Sequence, residues 1–134
     1  MNLLLDTHTL IWWLDDDPAL NDTAREIIAN SQNRVFASTA CLWEIGIKHA
    51  IGKMPIHPDI LRSGIEQSGL ILLSISPAHA VHVANLALIE DHRDPFDRML
   101  IAQAIIEDLT MISADKKIRE HTSAYGIRLI WAGR

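Results

Sequence analysis

Five short apolar runs, set apart by stretches with helical spacing, constrain this chain more than any other feature. They are Asn2–Leu5, Arg34–Ser38, residues 70–74, Thr110–Ser113 and residues 127–131. A short apolar run with little alternation is the mark of a strand buried on both faces. Strands that alternate with helices imply crossover units and a parallel sheet covered on both sides. In Thr7–Leu14 the apolar Leu10, Ile11, Trp13 and Leu14 recur at helical spacing. Further helices are expected over residues 24–31, behind the cap residues Asn21-Asp22-Thr23, and over 39–51, capped by Ser38 or Thr39 and ended by Gly52. Another opens at His57-Pro58-Asp59 and closes at Ser68-Gly69. A cap residue followed by Pro starts two more, Ser76-Pro77 to about residue 88 and Asp94-Pro95 to about residue 107; a short one covers 116–121. The expected fold is a three-layer α/β/α domain with a central parallel sheet of about five strands. At 134 residues, one domain over 1–134 is expected, and no repeat or linker interrupts it.

The formal net charge is −5, which argues against a nucleic-acid binder that works through bulk positive charge. An acidic pocket that holds divalent cations is still allowed, because the cations reverse the local potential. A partner that supplies basic residues is also allowed. No run of 18 apolar residues occurs, so no membrane span is expected. The start of the chain, Met1-Asn2-Leu3-Leu4-Leu5-Asp6, does not read as a signal peptide. The single Cys41 cannot form an internal disulfide and reads as buried filler. A cytoplasmic location is the default expectation. There is no Gly-rich phosphate loop, so use of nucleoside triphosphates is not expected.

Four acids fall where such a fold would gather them. Asp6 ends the first apolar run, and Asp115 follows the fourth by two residues. Glu44 and Asp97 lie in the early turns of the helices expected after residues 38 and 94. In an open parallel sheet, function collects beyond the carboxyl ends of the strands, where strand order reverses. Carboxylates crowded beside buried strands repel each other and are costly to desolvate unless a cation offsets them. Oxygen-loving Mg²⁺ or Mn²⁺ is the usual answer.

Leu5-Asp6-Thr7-His8, Trp43-Glu44-Ile45-Gly46-Ile47-Lys48, Asp94-Pro95-Phe96-Asp97-Arg98-Met99-Leu100 and Ser113-Ala114-Asp115 together resemble the PIN-domain ribonucleases. More narrowly, they resemble the VapC toxins of bacterial toxin–antitoxin pairs. The similarity covers essentially the whole chain, in order, with no departure at the four acids. It implies a five-stranded parallel sheet and a Mg²⁺- or Mn²⁺-dependent endoribonuclease active on structured RNA. It also implies toxin dimers and a cognate antitoxin whose C-terminal segment wraps the toxin. By motif match, Asp6, Glu44, Asp97 and Asp115 become the acidic site. Thr7 and Ser113 are candidate helpers that orient a carboxylate or a water.

Asp6, at a strand end, and Asp97, at a helix start, are held rigidly and are the chosen direct metal ligands. Glu44 and Asp115 would complete the shell directly or through water, and Asp115 could polarise the attacking water. Each acid also has an ordinary structural reading. Asp6 and Asp115 are well placed as helix caps, Glu44 as a helix-face residue, and Asp97 as a first-turn acid that favours the helix dipole. Asp94 supplies the cap for the helix that Asp97 enters. Lys48, four residues after Glu44, reads either as a surface pair or as a pocket cation. Arg98 reads either as scaffold or as a grip on an RNA phosphate. The seven histidines show no zinc spacing; surface or capping roles are expected for most, with His8 near enough to Asp6 to line the pocket. Two rival functions stand beside this one. A Mg²⁺-dependent phosphoester hydrolase with Asp6 as nucleophile would favour a second acid at position 8, where this chain has His8. A catalytically silent partner-binding module could carry the acids as relics.

Overall fold

The computed structural model describes residues 1–134. Strand β1 (Asn2–Leu5) is the centre of a five-stranded sheet and pairs on either side with β2 (Arg34–Ser38) and β4 (Thr110–Ser113). The outer strands are β3 (Ile71–Leu73) beside β2 and β5 (Leu129–Trp131) beside β4. All four pairings are parallel, in the order β3-β2-β1-β4-β5. Leu3, Leu4 and Leu5 have no exposed surface, because helices cover both faces of the central strand. Each such Leu contributes roughly 1.5–3 kcal/mol by leaving water. The α/β/α fold with about five parallel strands is therefore as expected.

The helices are α1 (Thr7–Leu14), α2 (Asp22–Ala29), α3 (Thr39–Ala50), α4 (Pro58–Gln67), α5 (Pro77–His82), α6 (Pro95–Ile106), α7 (Lys116–Glu120) and α8 (Thr122–Tyr125). None is long and apolar enough to cross a membrane. The edge strands β3 and β5 are shorter than their apolar runs, since each has a neighbour on one side only. Helix α2 begins two residues earlier than expected, because Asn21 is its cap and accepts from the Ala24 N–H at 2.8 Å. The Asn21 amide also donates to the Trp131 and Gly133 carbonyls, which ties the C-terminal end to this corner.

Two departures from expectation shape the site. Helix α5 stops at His82 rather than near residue 88, passing into a 3₁₀ turn, Val83–Asn85. Leu86 then adopts an extended conformation and is buried in the core. Burying Leu86 draws the chain out of the helix, and the Ala87 carbonyl takes its hydrogen bond from Arg98 instead of from a helical N–H. The loop that follows, residues 86–94, carries His92 inward. Helix α8 has no counterpart among the expected elements. It is closed by Gly126 in the left-handed region, φ 74°, and buries Tyr125.

Candidate active site

The order of strands reverses on either side of β1, and the chain beyond β1 and β4 opens there. Asp6 leaves β1 and caps α1, accepting from the Thr9 N–H at 2.9 Å with Oδ1. Its other oxygen, Oδ2, accepts a short hydrogen bond from the Ser113 hydroxyl at the end of β4. Asp6 is thus both the cap and a member of the acidic cluster, with a different oxygen engaged in each role. Only 4% of Asp6 is exposed. Burial pushes its carboxyl above the usual range, and the bonds from Ser113 and Thr9 pull against that.

Ser113 also receives the Asp115 N–H at 3.0 Å through its Oγ. Asp115 caps α7, accepting from the N–H groups of Lys117 and Ile118. One hydroxyl therefore fixes two acids from neighbouring elements. On α3, the buried Glu44 is held from both sides. Thr7 donates to Oε1 at 2.7 Å, and Lys48 Nζ lies 2.6 Å from Oε2. The Lys48 side chain is partly exposed, and the Glu44 it meets is buried. This is a charge-assisted pair at the pocket wall.

Asp97 enters from α6, one turn past its cap. Asp94 accepts from the N–H groups of Phe96 and Asp97, so Asp94 takes the capping role and leaves the Asp97 carboxylate free. Asp97 Oδ2 lies 3.1 Å from His92 Nε2. The opposite nitrogen of His92, Nδ1, lies 2.7 Å from the Tyr125 hydroxyl. Donor atoms of His92, Asp97 and Asp115 all lie within 4.8 Å of one another. Asp97 is pushed up to about 8, first by burial and then by the negative charge of Asp94, Asp115, Asp6 and Glu44. Burial pushes His92 down, against the pull of Asp115 and Asp94. Tyr125 is pushed up by burial, and a hydrogen bond from Arg98 opposes the shift.

The structure thus gathers Asp6, Thr7, Glu44, Lys48, Asp97, Ser113 and Asp115 at one edge. A cleft of about 430 Å³ opens there between Asp6, His8, Trp12, Asp115, Lys116 and Lys117. Arg98 meets no acid directly and reaches the cluster only through Tyr125: its Nη1 donates to the Ala87 carbonyl at 2.9 Å, and with Arg93 it lines a separate cavity. The reading of the residues missed His92 and Tyr125. A histidine in a loop and a tyrosine in a four-residue helix, 33 positions apart, carry no local signal that they will meet. Cys41 is buried, as expected. Burial, with Asp6 and Glu44 adding to it, pushes the thiol up to about 12, which disfavours the thiolate.

The donor set suits a hard divalent ion. It is rich in carboxylate oxygen, and of its four acids only Glu44 has a cation in contact. A cation would relieve the repulsion that raises Asp97.

Among curated proteins, none matches the chain. Solved structures resemble it in fold along nearly its whole length. VapBC2 from Rickettsia felis, bound to a DNA fragment of the promoter, has a TM-score of 0.70 at 18% identity, covering 98% of this chain and 99% of that one. DNA-bound VapBC from Salmonella typhimurium has a TM-score of 0.68 at 23% identity, covering 98% of each chain. VapBC-1 from nontypeable Haemophilus influenzae has a TM-score of 0.68 at 17% identity, covering 97% of each. The family model of the PIN domain matches residues 3–123, a span that contains all four acids, and the chain therefore belongs to the PIN domain family.

Proposed function

We propose that this protein is a Mg²⁺- or Mn²⁺-dependent endoribonuclease of VapC type, the toxin of a toxin–antitoxin pair. The observation that carries the reading is the meeting of Asp6, Glu44, Asp97 and Asp115, from four separate elements, with too little positive charge to balance them. Membership of the PIN family supports a nuclease, and the VapBC likenesses in fold support the toxin type.

In this reading Asp6 and Asp97 would hold the ion, and Glu44 and Asp115 would complete its shell directly or through water. A bound dication supplies charge for the phosphodiester and a water of lowered pKa. Ser113 and the α1 N-terminus keep Asp6 in one orientation, and Thr7 does the same for Glu44. Asp115 would polarise the attacking water. Lys48 neutralises Glu44, and Arg98 with Arg93 offers a cationic edge to the RNA backbone beyond the scissile phosphate.

The partners follow from the same reading. A cognate antitoxin would cover the acidic edge, with a basic residue meeting the acids when metal is absent. Trp43, Ile47 and Ile51 form an exposed apolar stripe along and just past α3, which supports a homodimer or a larger assembly. The test is Mn²⁺-dependent cleavage of total cellular RNA with mapping of the cut ends. Cleavage by the wild type and none by Asp6→Asn or Asp97→Asn is expected. Equal cleavage by wild type and variants would remove the assignment. An intact RNA pool with every metal tried would favour the silent binding module.

A further inference from the structure

Among the groups at the acidic edge, His92 is the one that an all-carboxylate metal site leaves without a purpose. It is 4% exposed, sits in a loop, and presents Nε2 to the same space as Asp97 and Asp115. We propose that Nε2 of His92 is itself a ligand of the ion, beside Asp97 and Asp115, so that the site takes one nitrogen among its oxygens and prefers Mn²⁺ to Mg²⁺. The inference rests on the metal-site reading above.

Three observations carry it. First, the spacing fits: adjacent ligands of an octahedral ion with bonds of roughly 2.1 Å stand roughly 3 Å apart, and Nε2 lies 3.1 Å from Asp97 Oδ2. Secondly, the far nitrogen of the ring has a partner that can accept its N–H, as ligand histidines require. Such residues give their other N–H to a fixed acceptor, which sets the tautomer and aims the free lone pair at the ion. Here Nδ1 lies 2.7 Å from the Tyr125 hydroxyl, and the two rings meet edge to face at 72°. Thirdly, the residue is positioned by tertiary structure alone. The loop leaves α5 early as Leu86 is buried, and α8 carries Tyr125, whose ring meets the imidazole edge to face. Imidazole nitrogen suits transition ions, and Mg²⁺ favours an all-oxygen shell, so the mixed set shifts the balance to Mn²⁺.

The experiment is pulsed electron paramagnetic resonance on the full chain loaded with Mn²⁺ alone, together with titration calorimetry of Mn²⁺ and Mg²⁺. Modulation from a directly bound ¹⁴N nucleus is expected in the wild type. It should persist when His8 and His121 are both changed to Gln and vanish in His92→Gln. The Mn²⁺ over Mg²⁺ preference should fall by on the order of tenfold in that variant. If His92→Gln does not fold, ¹⁵N-histidine labelling of the His8→Gln/His121→Gln chain replaces it, and the modulation must change to that of ¹⁵N. Bound Mn²⁺ with no nitrogen modulation, or modulation that survives in folded His92→Gln, overturns the inference and leaves the nuclease reading standing. No Mn²⁺ binding that depends on Asp97 overturns both.

Discussion

Two clusters of metal-ligating side chains lie on this molecule, and they behave oppositely. Asp91, Glu120 and His121 bring their donor atoms within 4.8 Å of one another, as do His92, Asp97 and Asp115. In the first cluster Asp91 is exposed and meets Lys117 Nζ at 2.7 Å and His121 Nε2 at 3.1 Å. The hydrogen bond from Lys117 holds the Asp91 carboxyl below its ordinary range. In the second cluster Asp97 is largely buried, has no cation in contact except a protonatable imidazole, and is pushed up to about 8. The difference teaches that the number of acids does not decide where a dication is needed. Burial and the supply of protein cations decide it.

The largest expected contrast is in catalysis. Asp97→Asn should cut the rate of RNA cleavage by at least about 10³-fold, the several kcal/mol that metal-based charge stabilisation supplies. Asp91→Asn should cut it by no more than about twofold, as surface substitutions do. Comparable losses in the two variants, read from initial rates on one RNA, would erase the distinction between the clusters.

Metal binding comes next. At a free Mn²⁺ concentration of 100 times Kd, binding stabilises the folded chain by about 2.7 kcal/mol, a rise in melting temperature of roughly 10 °C for a chain of this size. Asp91→Asn should keep the rise and Asp97→Asn should lose it. A calorimetric scan that finds the opposite would move the ion to the exposed cluster.

Removing a supporting bond is the third contrast. Ser113→Ala leaves a buried Asp6 oxygen without its donor and should cost about 1–3 kcal/mol in urea unfolding. Lys117→Ala breaks an exposed pair and should leave the midpoint unchanged within error. A Ser113→Ala midpoint equal to wild type would show that Asp6 finds another partner.

The most gradual effect is that of pH on the metal-free protein. Asp97 holds its proton more tightly folded than unfolded, so its contribution is full below the ordinary carboxylate pKa and is lost as pH rises to about 8. Stability in EDTA should therefore fall across that window, and Asp97→Asn should lessen the slope. Asp91, held low, acts in the other sense: its contribution is present above the ordinary pKa and lost only in acid. A slope unchanged in Asp97→Asn would assign the effect to another group.

Much of this was legible from residues in order. Asn2–Leu5 reads as a buried strand because its apolar residues do not alternate, and Leu3 to Leu5 are fully buried. Asp94 before Pro95 reads as a cap, and it caps. With Asp94 as the cap, Asp97 reads as the acid left for chemistry. At Asp6 the sequence supports both a cap and a site residue; in the fold Oδ1 takes the capping bond from Thr9 and Oδ2 takes the Ser113 hydroxyl. The reach of Arg98 was not legible, because its partner is the Ala87 carbonyl in a loop that leaves the helix early.

Periodicity, caps and strand ends act within a few residues, so the sequence by itself determined the elements, their alternation and which acids stand at strand and helix ends. Only the tertiary structure decided that His92 meets Asp97 and that Tyr125 backs His92, and that one acid cluster is partly buried while another is solvated. Those outcomes depend on desolvation and on contacts between residues distant in the chain, and neither quantity exists until the chain has packed.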